Sequence, residues 1–177
     1  LFGIDNDIYN ISGGFSTVRQ SFNRPGHLSS FSEGKWSNKL LEISNNTIPD
    51  IVDLEVLDNS IFESSFFAAS FQEGLVNLSI TNTIIDESTI GSTLERINGK
   101  INMTSIAKEG TSLWMSTHGV ENSIHQWDLE ANLWKNFKFE FSQSKYPMDL
   151  LVLTNGDKWV SLDSNRGGGI LVFNQKS

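Results

Sequence analysis

Few residues in this chain are of a type and spacing that could do chemistry. The three histidines are His27, His118 and His125, and there is no cysteine to serve as nucleophile, disulfide or thiolate ligand. His118 and His125 are seven residues apart across a turn, which does not match the short helical spacing of a zinc protease motif. All three read as turn residues with solvated imidazoles. Asp5 and Asp7 supply hard oxygen ligands, but an EF-hand frame would put Gly at Asn10 and Glu at Ser16, so no calcium loop is expected. The Gly167-Gly168-Gly169 run lacks the helix that a phosphate cradle needs and reads as a tight connection between strands. There is no G-x-S-x-G and no P-loop. The expectation is a protein with no catalytic site, no metal and no cofactor.

Thirteen Lys+Arg against 21 Asp+Glu give a net charge of −8, the opposite of a duplex nucleic-acid binder, so no nucleic-acid partner is expected. The few cations are therefore conspicuous. Arg19 and Arg24 lie in a long connection, Gly13 to Gly26, and the corresponding connections of later repeats carry His118 and Arg166. Equivalent connections emerge on one face of a repeat fold. The four residues read as a weakly basic rim suited to an anionic ligand, against the plainer alternative of a solubilising loop.

These residues are positioned by a repeat. SLWMSTHG (Ser112 to Gly119) and DKWVSLDS (Asp157 to Ser164) place Trp114 and Trp159 45 residues apart. Phe67 and Tyr9 occupy the same setting in ESSFFAASF and NDIYNISGG. A second apolar strand follows each aromatic strand, a third follows in three copies, and an apolar strand precedes three of them. The strands are β-branched and aromatic, and no window shows a 3.6-residue period. The fold class is therefore all-β: a β-propeller arc of about four four-stranded antiparallel blades, with repeats near 1–47, 48–98, 99–144 and 145–177. A sandwich or barrel is the rival. The first copy has little opening strand and the last stops before its outermost one. That points to part of a larger propeller, with a four-bladed ring closed through the termini as the alternative. Trp36, Trp127 and Trp134 are expected in the layers between blades rather than stacked on sugars or bases. The innermost strands offer only Asp50, Asp53, Glu55 and Asp149 as acidic groups, which argues against a channel enzyme.

The stretches NRPGHLSSF with GKW around Trp36, LWMSTHG, and NGDKWV with GGILVF resemble the propeller region of PorZ-type proteins of the Bacteroidetes type IX secretion system. The resemblance runs nearly end to end and names no binding residues. It implies a non-enzymatic protein of the cell surface, associated with the outer membrane. Its implied partners are attachment-complex proteins, a sortase-like PorU and an outer-membrane barrel protein, with anionic lipopolysaccharide as ligand. LWMSTHG also looks like the propellers of hybrid two-component regulators, which would imply a ligand-sensing periplasmic module instead.

Overall fold

The computed structural model describes residues 2–4, 7–59, 62–78 and 82–175. Asp5 lies outside them. Four antiparallel sheets follow one another along the chain. Blade 1 is β1 (Phe2–Ile4), β2 (Asp7–Ser12), β3 (His27–Ser32) and β4 (Lys35–Leu40). A small hairpin, β5 (Glu42–Ile43) and β6 (Asn46–Thr47), leads into blade 2. Blade 2 is β7 (Ile51–Asn59), β8 (Phe62–Ser70), β9 (Gly74–Leu78) and β10 (Thr83–Ile85). Blade 3 is β11 (Met103–Glu109), β12 (Ser112–Thr117), β13 (Ile124–Asp128) and β14 (Leu133–Phe137). Blade 4 is β15 (Pro147–Val152), β16 (Lys158–Leu162) and β17 (Ile170–Phe173). Each sheet is a meander, with strands paired in sequence order. No α-helix occurs among the described residues, and no helix there is long and apolar enough to cross a membrane.

Alternation along each strand gives every blade two faces, and the layers between blades form the core. Blade 2 packs its Leu54, Ala68 and Val76 against Tyr9, Ile11 and Leu28 of blade 1. Phe67 and Leu75 of blade 2 meet Met103, Ile106, Leu113 and Met115 of blade 3. Ala107, Trp114 and Ile124 of blade 3 meet Leu150, Val160 and Leu162 of blade 4. Tyr9, Phe67 and Trp114 thus each point at the next blade. Trp114 is fully buried, edge-on to Phe173, and truncating such a side chain costs about 3–5 kcal/mol. The Lys158 ammonium sits 4.4 Å over the Trp114 ring and is satisfied by Glu109 (2.7 Å) and the Gly156 carbonyl (2.8 Å). A buried lysine is tolerated because ring, carboxylate and carbonyl replace its water.

The fourth aromatic, Trp159, has no blade in front of it. It is 42% exposed, beside Leu151, Ile170 and Val172, all exposed. This face has the apolar row that the other blades bury, as in an arc of a larger propeller. Among the described residues β1 belongs to the blade 1 sheet and pairs with β2 alone, so it does not complete the blade 4 sheet.

Inner strands β7, β11 and β15 lie side by side and share one irregularity. The register slips between Ile51 and Asp53, between Met103 and Ser105, and between Pro147 and Asp149. Each bulge turns a short polar side chain to the same level. Ser105 Oγ lies 2.7 Å from Asp53 and 3.1 Å from Asp149. Trp127 and Trp134 stack at 5.0 Å against the layer between blades 2 and 3. Trp36 departs from the sequence expectation. It is 59% exposed on β4, contacting Phe31, because the outermost strand of blade 1 has no neighbouring layer to enter.

Candidate functional site

The connection from β2 to β3 is built as a strap. Gly13 begins it because a side chain there has no room: an added Cβ would lie 2.2 Å from the Ile51 nitrogen. Its return leg is anchored on Asp50, a fully buried carboxylate that accepts from Ser21 Oγ (2.5 Å), the Asn23 N–H (2.8 Å) and the Arg24 N–H (3.1 Å). Gln72 of blade 2 donates to both Asn23 Oδ1 (2.8 Å) and Asp50 (3.2 Å). Phe15 packs on Phe71 at 4.4 Å between ring centres. The strap therefore lies over blade 2 before its tip reaches further.

The tip docks on blade 4, 144 residues away in sequence. Arg19 makes a two-pronged bond to Asp163, Nε to Oδ2 at 3.0 Å and Nη2 to Oδ1 at 2.8 Å. Asp163 is 1% exposed and also caps the short 3-10 turn Ser164–Arg166 by accepting from the Asn165 N–H. His118 Nε2 lies 3.3 Å from Asp163 Oδ2. Asn165 Nδ2 donates to the Thr17 carbonyl at 2.6 Å, closing the tip from the other side. Burial alone would raise the Asp163 carboxyl. The Arg19 guanidinium, the Asn165 N–H and His118 outweigh it and hold the group down at about 2. His118 is lowered, first by burial and then by Arg19 and Arg166, with Asp163 pulling the other way.

Phe71, His118 and Asp163 occupy one repeat position. Each donates its backbone N–H to the residue range leading into its own blade, at Asp50, Asn102 and Tyr146. His118 and Asp163 at that position, with Arg19 bound to Asp163 and Arg166 in the turn that follows it, surround a cavity of about 270 Å³, lined also by Thr17, Val18 and Asn165. Arg166 lies with its guanidinium 5.0 Å over the Tyr146 ring. Arg24 does not join them. It stays on the return leg, exposed, 4.7 Å over Phe22.

Two histidines correct the sequence reading. His118 is buried rather than solvated, because the strap and blade 4 cover it. His125 is fully buried within β13, between Thr93 Oγ1 (2.9 Å) and Thr117 Oγ1 (3.0 Å), and burial pushes it down to about 3. The organising residue, Asp163, is absent from the sequence-derived set. Its signal was available: it follows His118 by the 45-residue step that separates Trp114 from Trp159. Among the described residues no group of three or more His, Asp or Glu is arranged to hold a metal ion.

No protein-family model matches the chain, and no curated protein matches it in sequence. Solved structures do. One is PorZ, described as an essential bacterial surface component of the type-IX secretion system of Porphyromonas gingivalis. It matches over 99% of this chain and 25% of its own, with 19% identity and a TM-score of 0.81. Another is the extracellular domain of a hybrid two component system of B. thetaiotaomicron. It matches over 84% of this chain and 18% of its own, with 12% identity and a TM-score of 0.51. The chain spans about a quarter of the length of PorZ, and along that quarter the two share a fold.

Proposed function

We propose that this chain is a propeller arc of a non-enzymatic binding scaffold in a type IX protein secretion and cell-surface attachment machinery. The observation that carries the reading is the end-to-end likeness in fold to PorZ, which agrees with the sequence resemblance. On this reading the protein sits at the cell surface, associated with the outer membrane. There it works with a sortase-like PorU and an outer-membrane barrel protein and presents anionic lipopolysaccharide to the sortase. The cationic cavity under the strap supports an anionic ligand, with Arg19, His118 and Arg166 at its wall and Arg24 outside it.

Deleting the parent gene tests this role. Secreted cargo is expected to accumulate unanchored and without its lipopolysaccharide modification; cargo anchored as in the parent strain would sink the proposal. The likeness to the extracellular domain of a two component system favours a second reading, a ligand-sensing periplasmic propeller. A kinase on the same polypeptide would decide for it.

A further inference from the structure

The cavity under the strap tip has a charge balance unlike the rest of the molecule. Two guanidinium groups, Arg19 and Arg166, face one carboxylate, Asp163, in a chain of net charge −8. Asp163 is already saturated by two bonds from Arg19, one from the Asn165 N–H and the His118 contact. Arg19 spends Nε and one Nη2 hydrogen on that carboxylate and reaches the Ser16 carbonyl only at 3.5 Å. A guanidinium carries five N–H donors, so Arg19 is held in a fixed orientation with donors to spare. Among the described residues no carboxylate pairs with Arg166, whose guanidinium rests on the Tyr146 ring. At about 270 Å³ the space is smaller than a site for a drug-sized molecule and suits one compact group.

We propose that this cavity binds a single oxyanion group (phosphate, sulfate or carboxylate) on Arg166 and the unspent N–H groups of Arg19, with Asp163 as positioning residue and His118 taking up a proton on binding. The inference rests on the anionic-ligand reading above and names the group recognised and its atoms. The proton enters through the neighbours of His118. Asp163 and Arg166 face it from blade 4, Arg19 from the strap, the Tyr146 ring at 5.2 Å from the entry to blade 4, and Phe71 at 6.5 Å from blade 2. The two arginines oppose a charge on His118. An oxyanion that neutralises them removes that opposition, so affinity rises as pH falls.

The test is calorimetric or NMR titration of the full chain with inorganic sulfate, whose charge is constant over about pH 5–8, the interval in which imidazoles change charge and whose acid end reaches the lowered His118. Saturable binding, tighter at the acid end, is expected. Arg166→Gln should weaken it at least about tenfold, the value of a charge-assisted hydrogen bond. His118→Gln should flatten the pH dependence. Arg166 is exposed, so its substitution leaves the fold intact, verifiable by an unchanged melting curve. Inorganic phosphate and glucose 6-phosphate, compared at one pH, separate the sources: preference for the sugar phosphate assigns the site to a glycan-borne group, equal binding to the free ion. Absence of saturable binding to any of these probes overturns the site. So does Arg166→Gln binding as tightly as the parent, or a pH slope that survives His118→Gln. A protein that binds none of these anions yet keeps cargo anchored in cells would overturn this site and leave the scaffold role standing. Sulfate binding with normal cargo anchoring in the deletion strain would do the reverse.

Discussion

Removing the strap's arginine while leaving its buried carboxylate is the sharpest perturbation the structure offers. Asp163 is 1% exposed and owes two of its hydrogen bonds to Arg19, at 2.8 and 3.0 Å. Arg19→Ala strands that charge, and breaking a buried pair from one side costs about 3–5 kcal/mol. Holding the carboxyl at about 2 rather than 3.8 corresponds to about 2.5 kcal/mol of stability at neutral pH, shared by Arg19, the Asn165 N–H and His118. The sign follows from the depression: this stability is present above the unfolded value of 3.8 and is lost as pH falls toward 2. Asp163→Asn removes the charge and should cost less, about 1–2 kcal/mol. The double variant should then be more stable than the sum of the singles implies, by about 2 kcal/mol. Urea unfolding of the four proteins closes the cycle. The penalty of Arg19→Ala should also be smaller at pH 6 than at pH 8, since His118 is freed to protonate beside Asp163. An Arg19→Ala protein within about 0.5 kcal/mol of the parent, the range of an inconsequential surface change, would refute the strap as a clasp.

His125 gives a pH prediction of its own. Its folded value near 3 lies below the ordinary 6.5, so stability falls by up to about 1.4 kcal/mol per pH unit as pH drops below 6.5. His125→Gln should be less stable at pH 7 but lose about 2 kcal/mol less than the parent between pH 7 and 5; parallel urea curves would contradict this. Asp53 is raised, first by burial and also by Asp149, against bonds from Ile106 and Ser105. A raised carboxyl loses stability as pH rises through its folded value, so Asp53→Asn should shift the urea midpoint upward at pH 7. The uncovered row of Leu151, Trp159, Ile170 and Val172 should make the chain self-associate with rising concentration. Leu151→Ser with Ile170→Ser should restore monomer in sedimentation, and a parent that sediments as a sharp monomer at all concentrations would contradict it.

The repeat was legible because its structural demand falls on residue type. The position occupied by Tyr9, Phe67 and Trp114 fills the layer toward the following blade, so an aromatic recurs there, and Trp159 repeats it on the uncovered face of blade 4. The strap was legible as an extra-long connection, and three of the four expected rim residues, Arg19 from the strap with His118 and Arg166 from later blades, line one cavity. What the sequence could not show is where long segments lie once folded. His125 reads as a solvated turn residue until β13 carries it inward and Thr93, from the irregular stretch after β10, covers it. Asp163 looks like an ordinary turn aspartate until a loop 144 residues upstream delivers Arg19 to it. Trp36 was misplaced for the opposite reason: type alone suggested a layer, but the outer edge of blade 1 offers none.

The most direct test of the scaffold reading is to purify the tagged full-length parent from native outer membranes and identify what comes with it by mass spectrometry. A sortase-like partner together with outer-membrane barrel proteins is expected. Recovery of the protein from the inner membrane, with kinase sequence on the same polypeptide and no secretion components, would contradict it.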